Sequence, residues 1–185
     1  TPQKIAGYRT VLLGPDDMQT LHCVDGRGVT ARVLREWLRE GKLCVALKHA
    51  DEIAAFTWVD LDEFNFHLNR FSLKDNEAYL FDMYTMKAFR GAGLAAHLRH
   101  QVYVMLRSMG RDRLYSVSEY FNSSSIRFKE KLGGRILRAS LYVCLFRRWR
   151  FHQVLFDYTE RPAEAKPLRR RWRFQRFPGA RRAMP

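Results

Sequence analysis

Arg90, Gly91, Ala92, Gly93, Leu94 and Ala95 carry the clearest chemical content in this chain: a cation, then two glycines among small residues. Backbone N–H groups at the start of a helix have no intrahelical acceptor and carry a partial positive charge. Small side chains let a phosphate or pyrophosphate approach those donors, and an arginine beside them adds a full charge. The bland alternative is a helix start that packs tightly on its strand, since short glycine patterns recur by chance. His97 and His100, at i, i+3 spacing, could share a metal, but no third ligand accompanies them and a solvated helix face accounts for them. The stretch FRRWRF at 146–151 interleaves arginine and aromatic residues. It could stack bases, dip into a membrane interface, or be an exposed turn.

The elements around the glycines decide between these readings. The run EAYLFDMYTM (77–86) is apolar almost throughout, as in a strand covered on both faces. Beyond Gly93, Leu94, Leu98, Val102, Met105, Leu106 and Met109 keep helical spacing. The glycines therefore join a buried strand to an amphipathic helix. Upstream, a strand is expected at 8–13, a helix over 17–24, and a second helix at 31–40 with Thr30 as N-cap and Gly41 as stop. Strands follow at 42–49 and 53–61. Residues 60–76 are mostly polar and read as a long binding loop. Downstream come a strand at 113–120, a short helix opened by Asn122 and closed by Gly133-Gly134, and a closing hairpin from 134–146 and 152–158. This order predicts a mixed α/β fold.

Composition sets the frame. The 185 residues, 46% hydrophobic and 14% aromatic, are enough for one folded domain with a real core. The net charge is +14, and residues 161–185, with nine Lys/Arg and one Glu, supply +8 of it. We therefore divide the chain into a domain over 1–160 and a basic C-terminal tail over 161–185. Such a tail is either a solvated end or a contact for an acidic protein or anionic membrane surface; nucleic acid is the weaker partner. Cys23, Cys44 and Cys144 show no paired spacing, as for free thiols in a reducing compartment. No stretch approaches about 18 uninterrupted apolar residues, and no leader pattern opens the chain. A cytoplasmic protein, with or without peripheral membrane contact, is the expectation.

Arg90, Gly93 and Ala95, after the apolar strand, resemble the arginine-x-x-glycine-x-glycine/alanine motif of the GNAT acyltransferase superfamily. LFDMYTMKAF resembles that family's fourth strand, and FNSSSIRFKEKLGG its asparagine-led helix. The likeness in element order runs over about residues 5–158. It implies a central mixed sheet of about seven strands flanked by about four helices, with acyl-CoA in a gap where strands four and five splay apart. It further implies that strand four carries a bulge. The amides of Arg90, Gly91, Ala92, Gly93, Leu94 and Ala95 would hold the pyrophosphate. Backbone near Met83, Thr85 and Met86 would bond the pantetheine and polarise the thioester carbonyl, and Asn122, Ser124 and Ser125 complete the expected donor site. The reaction implied is direct attack by an amine acceptor on acetyl-CoA or another acyl-CoA, with no covalent enzyme intermediate. A long-chain donor on an acidic acyl carrier protein, and a non-catalytic acyl-CoA or nucleic-acid binding module, are the rival readings; oligomeric state is open.

The chain departs from the family where many members place a general-acid tyrosine, seven residues after the helix-opening asparagine. That position is Lys129 here, and Phe128 before it has no hydroxyl. An ammonium could stabilise a leaving thiolate or, if buried, donate a proton; an ordinary solvated lysine is the alternative. Tyr120, Ser124, Ser125 or water could take the role. For a base, Asp82 stands in the apolar fourth strand, where desolvation would raise its pKa, and Glu119 stands at the end of strand five. Either could equally be a structural acceptor or an arginine partner.

Overall fold

A computed structural model describes residues 5–22, 28–67, 69–145, 149–157 and 173–174. The chain divides into two units, 1–128 and 129–185. In the first, five strands form one sheet: β1 (Tyr8–Leu12), β2 (Leu43–His49), β3 (Glu52–Asp60), β6 (Glu77–Thr85) and β7 (Arg113–Tyr115), in the order β1-β2-β3-β6-β7. The first four are joined antiparallel; β6 and β7 are parallel and linked by α3 (Leu94–Ser108). A parallel pair needs a long crossover, and the amphipathic stripe of α3 supplies one that also covers the sheet.

Alternation along the strands sends side chains to two cores. Val45 and Leu47 of β2, with Ala78 and Leu80 of β6, pack against Leu94, Leu98, Val102 and Leu106 of α3. Cys44 and Ala46 of β2, with Phe56 and Trp58 of β3, pack on the other face with Met18 and Leu21 of α1 (Met18–His22) and Leu34 of α2 (Ala31–Arg39). Thr30 caps α2 through its side chain, which accepts from the Val33 amide at 3.3 Å, and Gly41 follows at φ +84° as the stop. The first expected helix is shorter than its pattern: Pro15–Asp17 form a 3₁₀ turn and α1 follows it. Residues 23–27, Cys23 among them, lie outside the described set. Cys44 is a buried free thiol.

Two expectations need correction. Residues 60–76 are not one loop: they hold a hairpin, β4 (Glu63–Phe66) and β5 (Asn69–Ser72). The Asp60 carboxylate starts it by accepting from the amides of Asp62 and Glu63 at 3.0 and 2.9 Å. Phe64 and Phe66 alternate with polar residues along β4, and the hairpin is held by aromatic contacts: Phe64 lies 4.8 Å from Phe71 and 4.5 Å from Tyr79 of β6. The second correction concerns residues 113–120, where β7 stops at Tyr115. The remaining residues have strand-like composition but no ladder partner among the described residues, and pairing is not visible in a single segment.

α4 (Ser123–Lys131) spans the division between the units. The second unit contains β8 (Arg138–Leu145) and β9 (Trp149–Asp157), antiparallel, with β10 (Arg173–Phe174) paired to β9. The expected closing hairpin is thus formed. Residues 146–148 of the FRRWRF stretch, and all but 173–174 of the basic tail, lie outside the described residues.

Candidate functional site

Everything in the site is arranged around the last third of β6. On one side β6 pairs with β3 from Asp60↔Tyr79 to Ala55↔Thr85. Phe56 faces Tyr84 and Trp58 faces Phe81, so Asp82 and Met83 together oppose Thr57 alone. This is a β-bulge, with Asp82 in the left-handed region at φ +48°. The Thr57 hydroxyl donates to the Phe81 carbonyl at 3.2 Å beside it. On its other side β6 pairs with β7 only through Glu77, Ala78 and Tyr79. Beyond Tyr79↔Tyr115 the two chains separate, and the edge of β6 from Leu80 to Thr85 faces the opening.

The backbone at the end of this edge is divided by alternation. The Met86 amide donates to the Ala54 carbonyl at 2.9 Å and its carbonyl accepts from the Phe89 amide at 2.9 Å. The Met86 amide is thus engaged within the protein, and its carbonyl keeps one lone pair beyond the bond to Phe89. One residue earlier the groups point the other way: the Thr85 carbonyl accepts from Arg90 Nε at 3.2 Å. That bond, and the Tyr84 ring 5.3 Å beneath the guanidinium, hold Arg90 beside the glycine turn.

Gly91 and Gly93 both have positive φ, +84° and +71°, and a Cβ added at either would meet nothing within 4 Å. The conformation explains the glycines, because an L-residue pays about 1–2 kcal/mol to adopt it. The open space beside them leaves room for another molecule to approach the backbone. The first bonds of α3 run from the amides of Ala96 and His97 to the Gly93 carbonyl, at 3.1 and 3.2 Å. The amides of Gly91, Ala92, Gly93, Leu94 and Ala95 make no bond among the described residues. Five consecutive free donors next to a fixed guanidinium suit a doubly charged phosphate ester.

Across the opening, residues 116–122 run from β7 into α4. Asn122 caps α4 as expected: its side-chain oxygen accepts from the Ser125 amide at 3.1 Å and the Ser124 hydroxyl at 2.9 Å. The Ser125 hydroxyl is 2.8 Å from that of Ser118. Asn122, Ser124 and Ser125 are thus engaged with one another in the cap. Glu119 is exposed and belongs to no strand; its carbonyl accepts from the Asn122 amide at 3.0 Å. Tyr120 is 85% exposed, with its ring 5.4 Å from that of Phe121. Asp82 is half-buried rather than enclosed. Lys129 is half-buried in the last turn of α4, where its carbonyl accepts from the amides of Leu132 and Gly134.

Below the opening α3 buries two polar side chains. His97 is 5% exposed with Nδ1 unpartnered, and burial, helped by His100, holds its pKa below the ordinary imidazole value. It is therefore neutral at pH 7. Arg99 is 4% exposed, its Nε has no acceptor among the described residues, and Nη2 lies 3.1 Å from Met83 Sδ. The sequence reading passed over Arg99. A signal was there: Arg99, Val102 and Leu106 repeat at i, i+3, i+7, placing a charge on the apolar stripe. Among the described residues, no group of three or more His, Cys, Asp or Glu side chains is placed to hold a metal ion.

The same architecture occurs in known proteins. A ribosomal-protein-S18-alanine N-acetyltransferase from Escherichia coli matches with TM-score 0.57 and 16% identity, over 74% of this chain and 79% of that one. An aminoglycoside 6'-N-acetyltransferase from Acinetobacter baumannii gives 0.57 and 14%, over 74% and 97%. An acetyltransferase from Trypanosoma brucei gives 0.56 and 17%, over 75% and 99%. At these identities the likeness is one of fold. Comparison with curated proteins gives no match. The model of the acetyltransferase (GNAT) family matches residues 17–134, a span that takes in the bulged strand, the glycine turn, α3 and the Asn122 cap. With that match over more than half its length, the chain belongs to the GNAT family and is an acyltransferase of the N-acetyltransferase type that takes an acyl-CoA as co-substrate.

Proposed function

We propose that this protein moves an acyl group from acyl-CoA to the amine of an acceptor by direct attack, using the free edge of β6 and the α3 N-terminus as the donor site. The observation that carries this reading is the run of unbonded amides from Gly91 to Ala95, beside an arginine pinned to the Thr85 carbonyl. The open space beside the glycines leaves room for a pyrophosphate. The edge of β6 on either side of Thr85 offers an extended backbone to an amide-containing arm, as one strand does to another.

In the reaction the amine nitrogen attacks the thioester carbonyl carbon, the C–N bond forms and the C–S bond breaks. Backbone donors at the bulged edge, around Met83 and Thr85, stabilise the oxygen as negative charge develops on it. A base takes the amine proton: Asp82, on the bulge, or Glu119, across the opening. The departing thiolate is met by Lys129 or Tyr120, or takes its proton from water. On the α1 side a cavity of about 490 Å³, lined by Asp17, Thr20, Lys48, Tyr84, Met86 and Phe89, is the candidate place for the acceptor. Lys48 Nζ lies 2.9 Å from Asp17 there. Burial alone would raise the Asp17 pKa, but the Lys48 and Gly14 hydrogen bonds and the Lys48 charge outweigh it and leave it below the ordinary carboxylate value.

The deciding experiment is calorimetry of the full chain with acetyl-CoA, followed by release of free thiol with a panel of primary amines. Saturable binding with amine-dependent thiol release is expected. Binding without turnover on any amine would leave a non-catalytic acyl-CoA module; no binding would remove the donor assignment. A second reading, with an acidic carrier protein as donor, is favoured by the +14 charge. It predicts that a long-chain acyl carrier protein outcompetes its CoA thioester.

A further inference from the structure

Arg99 is the least explained group in the molecule. The residue is only 4% exposed, yet among the described residues it forms no ion pair with a carboxylate. Its hydrogen bond is to a thioether, the weak acceptor of Met83, and Nε has no partner at all. Desolvation lowers the pKa of this guanidinium, opposed by the nearby Tyr103. Burying an unpaired cation costs several kcal/mol, a cost ordinarily offset by a carboxylate or phosphate. No described residue supplies that partner, and a bound molecule can.

The place of Met83 says which part of the donor this is. Met83 is the second residue of the bulge, two residues before Thr85 and about 6–7 Å further along the strand from the glycine turn. With the phosphates at Gly91–Ala95 and the arm running back along β6, as the proposed function has it, the acyl end reaches Met83 and Arg99. A neutral acetyl group would leave the guanidinium unpaired in the complex. The leaving thiolate carries charge only transiently, so it cannot offset a cost that persists in the ground state. A carboxylate on the far end of a short acyl chain can.

We infer that the donor is a CoA thioester of a short dicarboxylic acid, whose free carboxylate pairs with Arg99 beneath the β6 bulge. The inference rests on the acyl-CoA reading above and specifies its acyl group. Transfer is balanced as before: C–N forms, C–S breaks, the amine proton goes to the base and the thiolate takes one up. The terminal carboxylate takes no part and ends on the acylated amine.

The test is a binding comparison on the full-length protein with succinyl-CoA, acetyl-CoA and the succinamoyl thioester, in which an amide replaces the carboxylate at nearly constant shape. Succinyl-CoA is expected to bind at least about tenfold tighter than either of the others, as for a charge-assisted hydrogen bond. Arg99→Met should bring the succinyl-to-acetyl ratio to about one, and Arg99→Lys should keep part of it. The ratio is the readout, so a general loss of affinity does not imitate the effect. The amide analogue needs no variant and decides the matter even if Arg99→Met fails to fold. Equal binding of the three thioesters, or a preference that Arg99→Met leaves intact, overturns the inference and leaves Arg99 a packing residue. Failure to bind any CoA thioester overturns the donor reading itself, and this inference with it.

Discussion

The two ends of β6 are built in opposite ways. At the start of the strand every polar group is tied down. Glu77, 4% exposed, accepts from the Tyr115 hydroxyl at 2.8 Å and the Lys74 amide at 3.1 Å, with Arg113 3.6 Å away. Arg111 Nη1 donates to the carbonyls of Leu61, Lys74 and Glu77 at 3.0, 2.9 and 2.7 Å. Asn76 donates to Asp112 at 3.0 Å. At the far end the strand is bulged and one edge is unpaired; among the described residues the glycine turn and the start of α3 hold five unbonded amides, and Arg99 of α3 is buried with no carboxylate partner. One end closes the β6/β7 pair and the other opens it. Unsatisfied groups concentrated at one end of an otherwise satisfied strand mark where a ligand completes the structure.

The contrast can be broken most sharply at the glycine turn. Gly93→Glu puts a carboxylate where the pyrophosphate is proposed to sit and forces an L-residue to φ +71°. Acetyl-CoA affinity should fall by about a hundredfold or more, measured by calorimetry, while the circular dichroism spectrum is retained. An unchanged affinity in the folded variant would mean that these amides hold no phosphate. Arg111→Ala is the complementary experiment at the closed end. It should lower the unfolding free energy by roughly 2–3 kcal/mol in urea titrations, because three carbonyls lose a charged donor. Affinity per folded molecule should stay constant.

A smaller effect concerns Lys129. If it meets the leaving thiolate, Lys129→Ala should lower kcat about tenfold with little change in KM, and Lys129→Tyr should recover part of the loss. A Lys129→Ala enzyme with full kcat at every pH assigns the proton to Tyr120 or to water. Glu77→Gln should cost about 1 kcal/mol at neutral pH. Burial would raise the Glu77 pKa, but bonds from the Lys74 amide and Tyr115, and the charges of Lys74 and Arg113, outweigh it and leave it lowered. A lowered folded pKa adds stability above the unfolded value near 4.5, lost as pH falls through the folded value. The variant should therefore lose stability less steeply than wild type between neutral pH and pH 3. Identical slopes would place acid sensitivity elsewhere. Smallest of all, removal of 161–185 should weaken adsorption to anionic vesicles in low salt and leave turnover of a small amine unchanged. Equal adsorption before and after truncation would make the tail a solvated end.

Several features were legible along the chain because their causes are local. The glycine turn, the Thr30 and Asn122 caps and the stripe of α3 each follow from residues within four or five positions of one another. The family likeness rested on the same local signals. Other features were not legible, for equally physical reasons. Residues 60–76 read as a loop because their hairpin is held by aromatic contacts to Tyr79 and Tyr115, from strands beyond it. Residues 113–120 read as one strand because composition reports extended backbone and not the presence of a partner.

The amino-acid sequence by itself determined the α/β order, the position of the glycine turn and the membership of the acyltransferase family, since periodicity, capping and glycine conformation act at short range. Only the tertiary structure decided that the Met86 amide bonds to the Ala54 carbonyl while the Thr85 carbonyl holds Arg90. It alone showed that the β6/β7 ladder ends at Tyr79, and that Arg99 is buried without a counter-charge among the described residues. Those facts depend on which strand lies alongside and how much water it excludes, and neither is encoded in any one segment.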